Sequence, residues 1–149
     1  MPKVSRLGHF GLRVKSLDLA LSFYRDILGL QVTAESQEAK CFFLSSRPKE
    51  EHHEILISER PEEKRNISQI SFRVESLQDL KDFHRFLREK GVAIQSTRTH
   101  GHSISIYLND PEGNLIELYW ATGLHVKGPL GKPVDLALSQ EEILKAHLD

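Results

Sequence analysis

Four side chains able to give an electron pair to a cation occupy matched positions of this chain. His9 and Gln69 stand 60 residues apart, and Glu54 and Glu117 stand 63 apart. The match belongs to a longer repeat: Leu7-Gly-His-Phe-Gly-Leu-Arg-Val14 recurs as Ile67-Ser-Gln-Ile-Ser-Phe-Arg-Val74, each copy followed by a serine and a helix-like segment that ends in glycine. An imidazole nitrogen, two carboxylates and an amide oxygen form a borderline-hard set suited to one divalent ion such as Fe, Zn, Ni or Mn. Taken singly, a strand histidine is usually structural and a strand glutamate is usually hydrated. Their equivalent placement in two copies of one unit is what a purely structural repeat does not require.

The elements that must position these groups follow from periodicity. Residues 7 to 14 alternate, with Phe10, Leu12 and Val14 on one side and His9, Gly11 and Arg13 on the other, as in a half-buried strand. Ser16 is placed to cap a helix whose face carries Leu17, Ala20, Leu21, Tyr24 and Leu28, with Gly29 at its end. Strands are expected near 31 to 36, 40 to 46 and 52 to 58. The charged segment 60 to 65 reads as a connector, after which the order restarts: a strand over 67 to 74, a helix from Ser76 to Lys90 stopped by Gly91, and strands near 92 to 98, 103 to 109 and 114 to 120. Asn109-Asp-Pro-Glu-Gly-Asn114 supplies turn chemistry between the last two strands. The expected fold is α+β, one domain over 1–149 made of two βαβββ modules, 5–59 and 66–121. A tail over 122–149 follows, in which Ser139-Gln-Glu-Glu142 is a capping-box signature for a short helix.

Residues two apart on a strand share a face. Ile104, Ile106, Leu108, Ile116, Leu118 and Trp120 are assigned to the helix side, which leaves Ser103, Ser105, Tyr107, Glu117 and Tyr119 opposite. The same count places His53, Ile55 and Ile57 towards the helices and His52, Glu54 and Leu56 away from them. His9, Gln69, Glu54 and Glu117 are therefore expected on the inner surface of a cupped mixed sheet with its helices outside.

Composition narrows the function classes. Twenty basic and 21 acidic residues are spread along the chain with a net charge of −1, so no basic stripe favours nucleic acid. No apolar run approaches the roughly 20 residues needed to cross a bilayer, and the N-terminus lacks a signal-peptide pattern. One cysteine, Cys41, cannot form an internal disulfide, which suits a reducing compartment and a cytoplasmic location.

Over residues 5 to about 122 the chain resembles the vicinal-oxygen-chelate superfamily of glyoxalases, extradiol dioxygenases and bleomycin- or fosfomycin-resistance proteins. The resemblance rests on Gly8-His-Phe-Gly-Leu-Arg-Val14, Phe23-Tyr24 with Ile27-Leu-Gly-Leu30, His52-His-Glu-Ile55, and Asp110-Pro-Glu-Gly-Asn-Leu-Ile-Glu-Leu118. It implies paired βαβββ modules around one divalent metal that binds adjacent oxygen atoms of a substrate. His100-Gly-His-Ser-Ile-Ser-Ile-Tyr107 together with Glu117-Leu-Tyr-Trp120 is most similar to type I extradiol, catechol 2,3-type dioxygenases. That similarity implies Fe²⁺ as the favoured metal, His9 and Glu117 as ligands, Tyr107 as a hydrogen-bond donor to a catechol-like substrate, and His100 as a catalytic polar group beside it.

The second iron-binding histidine of that pattern is Gln69 here. Glutamine at a metal position is familiar in glyoxalase I, whose four-ligand pattern resembles His9, Glu54, Gln69 and Glu117, with Zn²⁺ or Ni²⁺ as the metal and an α-oxo glutathione adduct as substrate. Arg13 and Arg65 stand where that enzyme has basic residues near its glutathione pocket. A resistance-type binding protein without catalysis is the third reading. A homodimer is expected, since dimerisation is common in such families.

Overall fold

A computed structural model describes the chain apart from residues 28, 65, 110–112, 127–130 and 149, and the side chains at 147 and 148. The expectations for Leu28, for Arg65, and for the turn at Asp110, Pro111 and Glu112 lie outside the described residues. The chain divides into two compact units: a first, Gly8–Ile70, and a second comprising Met1–Leu7 and Ser71–Asp149.

The element order is that of two βαβββ modules: β1 (Arg6–Val14), α1 (Leu17–Tyr24), β2 (Gln31–Ser36), β3 (Cys41–Ser45) and β4 (Ile55–Glu59), then β5 (Ile67–Arg73), α2 (Leu77–Glu89), β6 (Ile94–Thr99), β7 (Ser103–Asn109) and β8 (Leu115–Ala121). The tail adds β9 (Lys132–Pro133), which the Gly- and Pro-rich composition of 122–138 did not suggest, and α3 (Gln140–Leu148).

In the first unit the strands run in the order β2-β3-β4-β1, with β1 parallel to β4 and the other pairs antiparallel. Ser16 caps α1 by accepting from the Leu19 amide, as its position before an apolar-periodic run requires. The helix ends at Tyr24, earlier than expected, but its turns continue until Gly29 N–H bonds the Arg25 carbonyl at 3.1 Å and Gly29 adopts φ +77°. Leu21, Leu44 and Ile57 are buried together, with Val14, Leu17, Ala20, Tyr24 and Ile55 packed around them.

The second unit orders its strands β8-β7-β6-β9, all antiparallel. Ser76 caps α2 by accepting from the Asp79 amide, and Gly91 at φ +69° follows its end. Leu77, Leu80 and Leu87 of α2 meet Ile104, Ile106, Leu108 and Leu118, with Ile116 and Trp120 against them, so the helix-facing rows are those expected. The tail completes this core. Leu136 and Ile143 are buried in it, and the Ser139 and Glu142 capping box closes as its sequence suggests, Ser139 N–H to Glu142 at 2.9 Å and Glu142 N–H to Ser139 Oγ at 3.2 Å.

One facing assignment is corrected. Ile55 and Ile57 do pack beneath α1, but β4 begins at Ile55, so strand alternation does not extend back to residues 52–54. His53 is buried against the His9 ring rather than in the apolar cluster under the helix. The reason lies in the preceding loop, where the Glu50 and Glu51 amides both bond the Arg47 carbonyl and turn the chain immediately before the histidine pair.

Candidate active site

In the first unit, β1 presents His9, almost fully buried, and β5 presents Gln69 beside it: His9 Nε2 and Gln69 Nε2 are 3.2 Å apart. The two strands approach this closely because residue 11 is glycine. A Cβ at Gly11 would lie 1.9 Å from Ser68 Oγ and 3.3 Å from Ser68 Cβ. His53 packs against His9 with ring centroids 4.0 Å apart and the rings tilted by 42°, Phe43 meets His53 edge-on at 4.9 Å, and His52 Nδ1 lies 2.9 Å from His53 Nδ1. One nitrogen of that last pair donates and the other accepts, so His52 and His53 carry opposite protonation at Nδ1 when both are neutral.

Glu54 has other partners. Its carboxylate accepts from the Ser46 amide at 2.7 Å, the Ser46 hydroxyl at 2.6 Å and Arg47 Nε at 3.0 Å, closing the loop between β3 and β4. Partial burial works against its charged form, but the Ser46 hydrogen bonds and the Arg47 guanidinium outweigh burial and hold the carboxyl below its ordinary range. The structure thus brings His9 and Gln69 together and commits Glu54 to Ser46 and Arg47.

In the second unit, register pairs Tyr107 of β7 with Glu117 of β8, and Ser105 with Tyr119, on the face opposite Ile106 and Leu118. Glu117 and Tyr119 are buried. His100 Nε2 lies 2.8 Å from the Tyr107 hydroxyl. The phenol also hydrogen-bonds Glu117. A phenol has one proton to give, so with Glu117 ionised the Tyr107 O–H is donated to the carboxylate and His100 Nε2–H donates to the phenol oxygen, which assigns the His100 tautomer. Burial, then the charge of Glu117, push the Tyr107 phenol far above its ordinary range, while Ser105 and Arg98 act in the opposite direction. Tyr107 is therefore protonated across the physiological range and available only as a neutral donor.

His100 is aimed by a tight turn. Its amide bonds the Ser103 carbonyl at 2.8 Å, and Thr122 holds the turn from β8, its hydroxyl on the Gly101 carbonyl at 2.7 Å and its amide on the His102 carbonyl at 2.9 Å. Gly101 adopts φ +83°, and a Cβ there would sit 2.4 Å from Val126 Cγ2. His102 stacks on His100 with centroids 6.2 Å apart.

Residues 6–118 match the model of the Glyoxalase/Bleomycin resistance protein/Dioxygenase superfamily, well over half of the sequence. The chain belongs to this superfamily. It is 32% identical over 126 residues to biphenyl-2,3-diol 1,2-dioxygenase 3 of Rhodococcus globerulus, a match covering 79% of this chain and 64% of that protein. It is 30% identical over 118 residues to the metallothiol transferase FosB of Staphylococcus haemolyticus, covering 78% of this chain and 84% of that one. A crystal structure of catechol 2,3-dioxygenase superposes with a TM-score of 0.70 at 24% identity, over 89% of this chain and 44% of that one. The chain therefore spans less than two thirds of either dioxygenase, and the structural likeness speaks for the fold. Among the described residues, no helix is long and apolar enough to cross a membrane.

The donor chemistry fits a metal of the kind this superfamily implies. Two atoms each about 2.1 Å from a common ion lie about 3.0 Å apart at a right angle and about 3.4 Å apart at a tetrahedral one. The His9 and Gln69 separation of 3.2 Å falls between these once the amide is turned to present its oxygen. His53 escaped the sequence reading as a site residue. The signal was present, since an imidazole assigned to an apolar row would need a buried partner.

Proposed function

We propose that the protein is a metal-dependent ring-cleavage dioxygenase of the extradiol type, acting on a catechol-like diol with O₂. The observation that carries this reading is the Tyr107 phenol held between His100 and Glu117 on a buried polar face. His9 and Gln69 in the first unit and Glu117 in the second are the residues that the resemblance assigns to a divalent metal, with Fe²⁺ favoured. That metal, when bound, supplies charge compensation for an ionised diol and neighbouring positions for diol and O₂.

The chain's own residues supply the proton arrangement. Tyr107, kept neutral by burial and by Glu117, can turn its O–H towards a substrate oxygen, and His100 behind it holds the phenol in place and replaces the proton it gives. His53, packed against His9 at a tilt of 42°, limits the room in which that imidazole can turn. Overall the reaction places both atoms of O₂ in the product as a ring carbon–carbon bond breaks, and it draws on no external reductant.

The test is O₂ consumption with a panel of catechols by protein loaded anaerobically with Fe²⁺, together with the yellow ring-opened product. No uptake with any catechol refutes the reading. Gln69 in a ligand position favours a second reading, a glyoxalase-like lyase, which predicts Zn²⁺- or Ni²⁺-dependent turnover of a methylglyoxal–glutathione adduct. Metal analysis of the wild type, His9→Ala and Glu117→Ala separates the two. A homodimer is supported by the exposed row Leu19, Phe23 and Ile27, 75%, 47% and 71% accessible, and sedimentation equilibrium tests it.

A further inference from the structure

We infer that Arg98 selects substrates carrying an anionic substituent, so that the preferred diol is a carboxylated catechol. This deepens the ring-cleavage reading and rests on it. Among β6, β7 and β8, Arg98 is the only Lys or Arg and Glu117 the only Asp or Glu. Register places Arg98 opposite Ser105, which is itself opposite Tyr119, and Tyr107 lies two residues further along β7. Arg98 therefore shares the face of Tyr107 and Glu117. Its neighbours Thr97 and Thr99 pair with Ile106 and Ile104 on the helix side.

The guanidinium is positioned without being neutralised. Arg98 Nη2 donates to the Gly131 carbonyl at 2.7 Å, which ties the guanidinium to the backbone of the tail. Among the described residues no carboxylate lies within ion-pairing distance of Arg98. A carbonyl occupies one of five N–H donors and leaves the charge uncompensated. Across a diagonal of the strand pair Arg98 and Tyr107 are about 7–8 Å apart, with their Cβ atoms somewhat closer, a span that a ring with a short carboxylate arm can bridge. The Arg98 charge is already felt at the Tyr107 phenol. A planar fork of donors matches a carboxylate in a way that one ammonium does not.

The test uses Fe²⁺-loaded full-length protein kept free of O₂. Calorimetric titration compares catechol, 3,4-dihydroxyphenylacetate and dopamine, and O₂ uptake on the same three follows. Wild type is expected to bind the carboxylate at least about tenfold tighter than catechol, and catechol tighter than the amine. Arg98→Gln brings the carboxylate-to-catechol ratio to about one, Arg98→Lys keeps part of it, and Arg98→Glu inverts the order in favour of the amine. A wild-type ratio near one, or a ratio that survives Arg98→Gln, overturns the inference while leaving ring cleavage standing. Failure of all three diols to bind or to be consumed overturns the ring-cleavage reading, and this inference with it.

Discussion

Substituting Gly11 by alanine tests how the first unit brings His9 and Gln69 together. The new Cβ would lie 1.9 Å from Ser68 Oγ and 3.3 Å from Ser68 Cβ, while Gln69 Cγ at 3.5 Å stays in ordinary contact. Rotating the serine hydroxyl away removes the first clash and leaves the second, so the two strands must separate by a few tenths of an ångström. Overpacking of this kind costs about 1–3 kcal/mol, offset by about 0.4–1 kcal/mol because alanine stiffens the unfolded chain. A net loss of about 1–2 kcal/mol lowers a urea midpoint by about 0.5–1 M at an m-value of roughly 2 kcal/mol/M. Ser68→Gly alone is expected to cost about 0.5–1 kcal/mol, from backbone freedom. The double variant Gly11→Ala with Ser68→Gly removes the clashing atoms, so its loss should fall short of the sum of the single losses by about 1 kcal/mol or more. Equal midpoints for wild type and Gly11→Ala, or a double variant whose loss is simply additive, would refute the account of why residue 11 lacks a side chain.

Three further outcomes are expected. Tyr107→Phe removes the donor and lowers ring-cleavage kcat about 10²-fold. Because the folded phenol titrates above its ordinary value of 10.0, the unfolded chain releases that proton first, and wild-type stability falls by about 1.4 kcal/mol per pH unit above that value. Denaturation at pH 9, 10 and 11 should show this slope reduced in Tyr107→Phe, and an identical slope would contradict the burial of the phenol. Glu54→Gln should cost about 1 kcal/mol at pH 7. The Glu54 carboxyl titrates below its ordinary 4.5 when folded, so the difference from wild type is full above that pH and vanishes as pH falls through the folded value; metal content of the variant equal to wild type would agree with a carboxylate committed to Ser46 and Arg47, and loss of metal would restore Glu54 as a ligand. Gly101→Ala combines a left-handed backbone with a 2.4 Å approach to Val126, and should lose about 2 kcal/mol or more. Val126→Ala should recover only the steric part, as thermal denaturation of the pair will show.

What the sequence by itself determined is everything periodic. Alternation in Ile104-Ser-Ile-Tyr-Leu108 and Leu115-Ile-Glu-Leu-Tyr119 separates a helix-facing row from the row of Tyr107 and Glu117, and these rows stand in the fold as read. Ser16, Ser76 and Ser139 sit before helices because a short hydroxyl can satisfy an end amide, a relation local to a few residues. Matched motifs some 60 residues apart announced the two βαβββ modules. What only the tertiary structure decided lies where periodicity stops. Residues 46–54 follow a loop path, so Glu54 reaches Ser46 and Arg47 while His53 packs against His9, and no rule of alternation applies there. The closeness of His9 to Gln69, the phenol shared by His100 and Glu117, and the Gly131 carbonyl on Arg98 each join residues far apart in sequence or separated by a turn. Such contacts depend on strand register and on where glycine lets backbones approach, and these are settled by packing the whole unit rather than by the residues on either side.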